Sequence, residues 1–193
     1  MEVLIKMNIT NYPKIKNDNA TRLIVGLSAY NKSSLVTDMT GHNYPFDTAA
    51  FVVADIQNCN TSELNSFRRV LGMIFSPKTA KDLINYWKQN NFTGPQIALE
   101  LEKKFQIYFG NCSEKNNLTT FITQNNTKNL KILLLTVDAF KDSIFENSNA
   151  EIFKYTHPAQ RGSTQQLFDD FDYCSKHYGF SSADDIKKNF SIR

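Results

Sequence analysis

The sequence predicts an α/β fold: a short, mostly parallel central sheet of about four strands packed by amphipathic helices, with an α+β fold as the alternative. Short, nearly continuous apolar segments recur along the chain, which is typical of strands covered on both faces. Between two of these segments, apolar residues recur at helical spacing after capping residues. This mixture of strands and helices favours an α/β architecture.

Length and composition set the expected number of domains. A chain of 193 residues with 41% hydrophobic residues can bury one sizeable core, and it is short for two. We therefore expect residues 1–193 to form a single globular domain.

Three apolar segments, 22–30, 49–56 and 130–137, are predicted to form the central sheet. The 130–137 segment is the most apolar stretch of the chain, and its lack of alternation favours an internal strand. The 2–9 segment alternates loosely and is a further predicted strand.

A three-helix insertion is predicted over 62–110, between the last two of these apolar segments. Asn60 with Glu63 has the pattern of a capping box and begins the first helix. The second helix begins at Ser76-Pro77, because proline is tolerated at the first helical position.

The third helix of the insertion begins at Thr93, which forms a second capping pattern with Gln96. It is expected to run through Tyr108 and to end at Gly110. The segment 111–129 that follows is polar and rich in Asn and Thr, which predicts a loop with at most one helical turn.

Four more helices are predicted after the last apolar segment. Asp138 is the expected cap of the first, and Ser148 with Glu151 is the expected cap of the second. The segment 163–178 carries a third helix with an apolar stripe, and a last helix carries Ile186.

Charge and cysteine usage narrow the classes of function. The net charge of +3 is spread along the chain, so nucleic-acid binding is not indicated. No apolar run approaches the roughly 20 residues of a transmembrane helix, and the N-terminus lacks a secretory pattern. We expect a soluble, cytoplasmic protein with no membrane partner and free thiols. The cysteines are Cys59, Cys112 and Cys174.

The number of N-x-S/T triplets suggests another cellular location for the protein. Nine of the 21 Asn residues begin N-x-S/T triplets, the acceptor pattern of N-glycosylation. A secreted, N-glycosylated protein is therefore the alternative to a cytoplasmic one. The other interpretation is that asparagine serves caps and turns, with Asn60 and Asn111 expected at helix ends. The triplets begin at Asn8, Asn19, Asn31, Asn60, Asn91, Asn111, Asn117, Asn125 and Asn189.

Polar residues follow the three predicted central strands. Ser28 ends the first, Asp55 ends the second and Asp138 ends the third. Ligands of open α/β sheets bind beyond the carboxyl ends of the strands, so these side chains are the leading candidates for a site. The alternative is that Asp138 is a helix cap and the other two are ordinary strand-end residues.

Ser28 belongs to a six-residue motif at the end of the first central strand. Residues 26–31, Gly-Leu-Ser-Ala-Tyr-Asn, resemble the strand-end motif G-φ-S-x-x-N of the cyclodipeptide synthases, a Rossmann-like family. That family uses the serine to accept an aminoacyl group from tRNA, so the resemblance implies that Ser28 is a nucleophile. The chain departs from the family at Lys32, where a serine is usual, and it has no later Y-x-x-x-E segment.

One pair of residues has the spacing of half a zinc site. Cys174 and His177 lie three residues apart on a predicted helix. No second close pair exists, and Cys174 falls on the predicted apolar face, where a buried thiol is the common outcome. We therefore predict no metal and no cofactor. The P-loop, G-x-G-x-x-G and H-E-x-x-H signatures are also missing.

Two functions follow from these patterns. The first is a non-enzymatic binding or assembly protein of viral, mobile-element or intracellular-bacterial type, which uses aromatic side chains for contacts with a protein partner or a second copy. The second is a small transferase or hydrolase with Ser28 as nucleophile. In that enzyme Asp55 or Asp138 orients a group or carries a proton, and the 31–48 loop with His42 closes over the substrate.

Overall fold

The structure, a computed structural model, describes residues 12–26, 35–126, 129–135, 142–155 and 179–192. Six strands lie in these ranges and form two sheets. They are β1 (Thr21–Gly26), β2 (Val36–Asp38), β3 (Thr48–Ala50), β4 (Ile107–Asn111), β5 (Leu130–Leu134) and β6 (Glu151–Lys154).

The larger sheet has four strands in the order β4-β1-β5-β6, and every neighbouring pair is parallel. This arrangement confirms the α/β fold with a short parallel sheet. In the register of the strands, Gly26 of β1 pairs with Asn111 of β4, and Val25 pairs with Leu134 of β5. The carboxyl ends of all four strands therefore lie along one side, here named the carboxyl edge.

Six helices accompany the strands in the described ranges, and none is long and apolar enough to cross a membrane. The predicted capping boxes of Asn60 with Glu63 and of Thr93 with Gln96 are confirmed, as is Pro77 in the first turn of its helix. The helices are α1 (Thr61–Ile74), α2 (Pro77–Gln89), α3 (Gly94–Phe105), α4 (Lys115–Gln124), α5 (Ser143–Glu146) and α6 (Ala183–Asp185), which continues as a π-helical turn (Ile186–Phe190).

Helices cover both faces of the parallel sheet. Ile24 and Phe109 pack in a buried cluster with α1, α2, α3 and the π-helical turn. Leu23 and Ile132 pack on the opposite face in a cluster with α4 and α5. Because successive strand residues point to opposite faces, a strand covered on both sides is apolar throughout. This explains the continuous apolar runs of β1 and β5.

The 49–56 segment is not a strand of the central sheet, so this prediction is wrong. Only Thr48–Ala50 forms a strand, and it pairs antiparallel with β2 in a separate hairpin. Phe51 has a φ of 65°, a left-handed conformation that bulky side chains rarely adopt, and it turns the chain out of the strand. Val52 and Val53 are still fully buried. The apolar residues of the 49–56 segment are therefore explained by burial and not by strand geometry.

The predicted end of the third insertion helix is also wrong. α3 ends at Phe105, and Gln106 adopts a left-handed conformation with a φ of 55°. β4 follows at once, so Tyr108 and Gly110 belong to a strand. Phe105 and Ile107 are both buried. The apolar pattern therefore continues across the turn at Gln106, and the sequence shows no break between α3 and β4.

The segment 111–129 contains helix α4 and not the predicted loop. α4 has no side-chain cap hydrogen bond at its N-terminus, so the usual sequence signal of a helix start is missing. Asn111 accordingly ends a strand and does not lie at a helix end.

Ser148 and Glu151 do not cap a helix. Glu151 is the first residue of β6, whereas Asp142 caps α5 through a hydrogen bond from the Ile144 N–H. The predicted strand at 2–9 and the predicted helix at 163–178 lie outside the described residues.

Arg22 ties the end of the chain to the first strand. Its side chain is fully buried, and it donates from Nε to the Phe190 carbonyl at 2.6 Å. Its two terminal nitrogens donate to the Asp18 carboxylate at 2.7 and 2.6 Å. Ser191 donates from Oγ to the Met73 carbonyl at 2.6 Å, which also links this end to α1.

Candidate functional site

The strand order creates a topological switch point at the carboxyl edge. The chain leaves β1 and returns beside it as β4, and then crosses to the other side of β1 as β5. Connections that leave two adjacent strands in opposite directions open a crevice at their carboxyl ends, where α/β proteins bind ligands. In this protein the switch point lies between β1 and β5, where the Leu135 N–H donates to the Val25 carbonyl at 3.1 Å.

Gly26 ends β1 where the chain of the β2–β3 hairpin crosses it. A Cβ atom at Gly26 would lie 2.7 Å from Cε2 of Phe51 and 2.9 Å from Cβ of Ala50. Only glycine fits at this distance, since real Cβ contacts are not so short. The Gly26 carbonyl also accepts a hydrogen bond from the Cys112 N–H at 3.0 Å. The end of β1 is therefore held in place by both neighbouring segments.

Asn111 ends β4 beside Gly26 and is completely buried. Its Oδ1 accepts hydrogen bonds from the Ser113 N–H at 3.4 Å and from the Ser113 Oγ at 3.2 Å. Its Nδ2 is buried and donates to no acceptor in the described ranges. Buried polar groups are nearly always paired. Asn111 is therefore an exception at the carboxyl edge.

Glu114 joins the β4–α4 turn to the hairpin. Its carboxylate accepts hydrogen bonds from the Asp47 N–H at 2.8 Å and from the Thr48 N–H at 3.0 Å, and it also accepts from the Thr48 hydroxyl. The Asn117 Nδ2 donates to the same carboxylate at 2.9 Å. The carboxylate therefore fixes the start of β3 against the carboxyl end of β4.

Tyr44 bonds to the outer side of β4, which is an edge strand of the sheet. The Phe109 N–H donates to the Tyr44 hydroxyl oxygen at 2.7 Å, so this edge-strand N–H is paired. Burial raises the pKa of the Tyr44 phenol well above its usual value. The hydroxyl therefore stays neutral and cannot serve as a base near neutral pH.

Asp55 lies in a turn before α1 and not at the end of a central strand. Its backbone pairs with Thr93, and its carboxylate accepts from the Asn58 Nδ2 at 2.8 Å and from the N–H of Gln57 at 2.9 Å and of Asn58 at 3.2 Å. These hydrogen bonds, led by that from the Asn58 side chain, lower the pKa of Asp55. Its carboxylate is a weak base, and it already accepts hydrogen bonds from Gln57 and Asn58.

His42 is exposed at the tip of the β2–β3 hairpin. Its N–H donates to the Met39 carbonyl at 3.0 Å and its carbonyl accepts from the Tyr44 N–H at 2.9 Å. Ala50 and Phe51, at the far end of β3, are the residues that contact Gly26. Of the predicted site residues, Ser28 and Asp138 lie outside the described residues, and Asp55 and His42 occupy separate turns.

No group of three His, Cys, Asp or Glu side chains in the described part of the chain could hold a metal ion. Neither Cys59 nor Cys112 forms a disulfide. Cys174 and His177, the weak zinc candidates, lie outside the described residues.

The aromatic side chains offer few anchors for a partner. Among residues 12–26, 35–126, 129–135, 142–155 and 179–192, every Phe, Tyr and Trp is buried or half-buried. Phe46, Phe67 and Trp87 are almost completely buried in the core. The high aromatic content of the sequence therefore serves the interior in this part of the chain.

No family model, curated protein or solved structure matches the chain. The site is therefore interpreted from its own residues.

The sequence does not point to two residues of the carboxyl edge, Asn111 and Glu114. Asn111 begins a glycosylation triplet, and Glu114 lies in the 111–129 segment, whose composition predicts a loop. The available signal was the polar pair Asn111 and Ser113 directly after an apolar stretch. That spacing is typical of an Asx turn, in which the Asn side chain accepts from the backbone two residues later.

Proposed function

We propose that the chain is a small acyltransferase or hydrolase whose nucleophile is Ser28. The single observation that carries this proposal is the switch point between β1 and β5 at the carboxyl edge. Ser28 follows the last residue of β1 by two positions.

The packing at Gly26 supports the same location. A strand end that admits only glycine, beside a Phe with a left-handed backbone, is an arrangement that costs conformational free energy. Such strain is concentrated at functional sites in proteins. Both features occur where β1 ends, two positions before Ser28 in the sequence.

The proposed reaction is acyl transfer through an ester intermediate. The Ser28 Oγ attacks the carbonyl carbon of an ester such as that of an aminoacyl-tRNA, and a new C–O bond forms as the bond to the ribose oxygen breaks. The serine proton ends on the departing ribose hydroxyl. Water or an amine then attacks the acyl-serine, and the Ser28 hydroxyl is restored.

Asp55 and His42 are not part of this proposal. The carboxylate of Asp55 is occupied by its own turn, and His42 lies at the hairpin tip. Asp138 keeps its proposed role in orienting a group or carrying the proton, since it follows β5 by four residues in the chain.

Covalent labelling tests whether Ser28 is a nucleophile. The purified chain is incubated with an alkyl fluorophosphonate, in which attack by a serine Oγ forms a P–O bond and releases fluoride. We expect intact-mass spectrometry to show one added phosphonyl group and peptide mapping to place it on Ser28. Incubation with tRNA carrying radiolabelled amino acids should give an acid-stable, base-labile label on the same residue.

Two variants complete that experiment. Ser28→Ala should lose the label, and Ser33→Ala, which removes another serine of the same polar segment, should keep it. A wild-type protein that stays unlabelled by both probes while folded, or a label that persists in Ser28→Ala, would exclude the proposed nucleophile.

A binding or assembly role is the second candidate function. It is favoured by a cavity of about 300 Å³ between the α1–α2 turn and the C-terminal residues, lined by Phe75, Pro77 and Ile186 among others. If this cavity receives a second copy, light scattering should show a dimer. Ala183→Arg, at the cavity, should then give a monomer, and Ser28→Ala should leave the dimer intact.

A further inference from the structure

Two cavities adjoin where the α1–α2 turn meets the C-terminal residues. The first cavity, of about 300 Å³, is lined mainly by apolar groups, among them Met73, Pro77 and Ile186. The second cavity has a volume of about 440 Å³ and is lined by the 14–15 segment, the start of α2 and Ile192. Small molecules usually bind in cavities of about 300–1,000 Å³, so both are large enough to hold part of a ligand.

The two cavities form one groove, because four residues line both of them. These residues are Phe75, Ser76, Lys187 and Ser191. Phe75 and Ser191 are buried, and Ser191 is fixed by the hydrogen bond from its Oγ to the Met73 carbonyl. The junction between the cavities is therefore built on the core. A single elongated molecule can extend from one cavity into the other.

The charged side chains that line this groove are cationic. Lys14 lines the second cavity and Lys187 lines both, and no Asp or Glu is among the described residues that line either one. Asp184 and Asp185 follow Ala183 in the chain, but they do not line the groove. The groove therefore favours a ligand that carries a negative charge.

The N-terminus of α2 makes the second cavity still more favourable for an anion. Ser76 caps this 13-residue helix by accepting from the Thr79 N–H at 3.1 Å, and both residues line the second cavity. The aligned peptide dipoles give a helix N-terminus a partial positive charge that stabilises a nearby anion. An anionic group is thus favoured in the second cavity and apolar groups are favoured in the first.

This division matches a molecule with one anionic end and an alkyl chain. Each methylene group that leaves water for the first cavity should tighten binding about fourfold. A peptide would instead bring backbone N–H and C=O groups, which are costly to bury without partners. A second copy of this chain has a net charge of +3, which the lysines of the groove would repel.

We propose that this groove binds a fatty acid, with the carboxylate in the second cavity beside Lys14 and Lys187 and the alkyl chain in the first cavity. The site does not involve Ser28 or the carboxyl edge, and it is independent of the proposed acyl-transfer function. It also gives the first cavity an occupant other than a second copy.

Calorimetric titration of the full chain is the first test. Octanoate, decanoate and dodecanoate are added below their micelle concentrations at about pH 8, where a carboxyl group is ionised, and in about 0.15 M salt. We expect one molecule bound per chain, with an affinity that rises about tenfold for every two carbons added. Dodecanol, which has the same chain without the charge, should bind about tenfold more weakly than dodecanoate. The absence of saturable binding, or equal affinities for dodecanoate and dodecanol, would overturn the inference.

Two double variants show whether binding occurs in this groove. Lys14→Gln with Lys187→Gln should weaken dodecanoate binding about tenfold and leave dodecanol binding unchanged. Lys16→Gln with Lys188→Gln makes the same change in net charge with exposed lysines that line neither cavity, and it should bind dodecanoate as wild type does. Equal affinities of the two double variants for dodecanoate would refute the proposed position of the carboxylate.

A bulky residue in the first cavity tests the position of the alkyl chain. Ala183 lines this cavity and is exposed, so a larger side chain there does not enter the core. Ala183→Trp should weaken the binding of dodecanoate and dodecanol alike, by about tenfold or more. Wild-type affinity in the folded variant would place the chain elsewhere and contradict the inference.

Light scattering in the same solutions distinguishes a fatty acid from a second copy. A monomer that binds dodecanoate supports the inference. A dimer that excludes dodecanoate would overturn it and would favour the second copy as the occupant of the first cavity.

Discussion

The Cβ atom that Gly26 lacks would lie 2.7 Å from Cε2 of the Phe51 ring. The last residue of the first central strand and the residue that turns the chain out of the hairpin are thus in direct contact. Because Phe51 itself has a φ of 65°, neither residue can be exchanged freely.

Gly26→Ala should lower the free energy of unfolding by about 1–3 kcal/mol, the cost usual for forcing extra volume into a packed core. The measurement is urea unfolding followed by circular dichroism. Gly72→Ala is the matched control, because a Cβ there meets only the Pro77 Cα at 3.9 Å. That helical position should gain up to about 1 kcal/mol. Similar losses from both substitutions would contradict a specific clash with Phe51.

Asp18 should make the protein less stable in acid. The hydrogen bonds from Arg22 lower the pKa of Asp18 in the folded state, and burial opposes this effect. A lowered folded-state pKa contributes stability above the unfolded-state pKa of about 3.9, and that contribution is lost as the pH falls through the lower folded-state value.

Asp18→Asn should therefore reduce stability at pH 6 and flatten its decline below about pH 4. The measurement is the free energy of unfolding in urea between pH 6 and pH 2.5. Lys115 forms an ion pair with Asp142 and is mostly exposed, so Lys115→Gln serves as a control for the loss of an ion pair. An unchanged acid slope in Asp18→Asn would show that the Arg22 pairing does not govern this range.

Glu114→Ala should release the hairpin from the carboxyl edge. The variant removes the acceptor of the Asp47 and Thr48 N–H groups, and hydrogen bonds to a charged group contribute about 1.5–3 kcal/mol each when both partners are buried. Asp47 is exposed, and Thr48 and Glu114 are only partly buried, so we expect a total loss of about 1–2 kcal/mol.

Amide hydrogen exchange localises that effect. The Thr48 N–H should exchange at least about tenfold faster in Glu114→Ala than in wild type, since local opening becomes easier. Glu146→Ala, which removes an exposed carboxylate on α5, should leave this rate unchanged. Wild-type protection of Thr48 in Glu114→Ala would mean that the carboxylate does not hold the hairpin.

Asn111→Leu should raise the free energy of unfolding by about 1 kcal/mol, because it removes a buried donor that has no partner. Ser113 is exposed, so its N–H can bond to water once Oδ1 is gone. The measurement is urea unfolding of the wild type and of the variant. A loss of more than about 2 kcal/mol would indicate that the amide is satisfied and structural.

The sequence predicted the parts of the fold in which local pattern and tertiary position agree. β1 and β5 were recognised because strands covered on both faces are apolar throughout. The three insertion helices were recognised because each begins with a side-chain cap that forms in the structure. In these segments the feature that is visible in the sequence, an apolar run or a capping side chain, also stabilises the strand or helix.

The errors have a common physical origin. The 49–56 segment is as apolar as a central strand because it is buried, yet the left-handed Phe51 ends its extended part. The sequence predicts helix where β4 lies, because Gln106 adopts a left-handed conformation without being glycine and so leaves no sequence signal for the end of α3. Backbone conformations of this kind depend on tertiary contacts and leave little trace in composition.

The sequence predicts a site at the carboxyl ends of the strands and does not point to Asn111 or Glu114. The carboxyl edge follows from the parallel sheet, which the sequence supports. Glu114 and Asn111 become visible only when the hairpin is placed against β4, since their partners Asp47 and Gly26 lie far away along the chain.

The side chain of Arg22 has one early and one late partner during protein synthesis, because Asp18 is made before it and Phe190 long after it. The carbonyl that accepts from its Nε belongs to Phe190, 168 residues later. As the ribosome makes the chain from the N-terminus, the first central strand is complete long before that carbonyl exists. Contacts of such long sequence separation form slowly. The nascent chain must therefore leave Nε of Arg22 hydrogen-bonded to water until Phe190 has been made, and the π-helical turn can pack beside β1 only after that point.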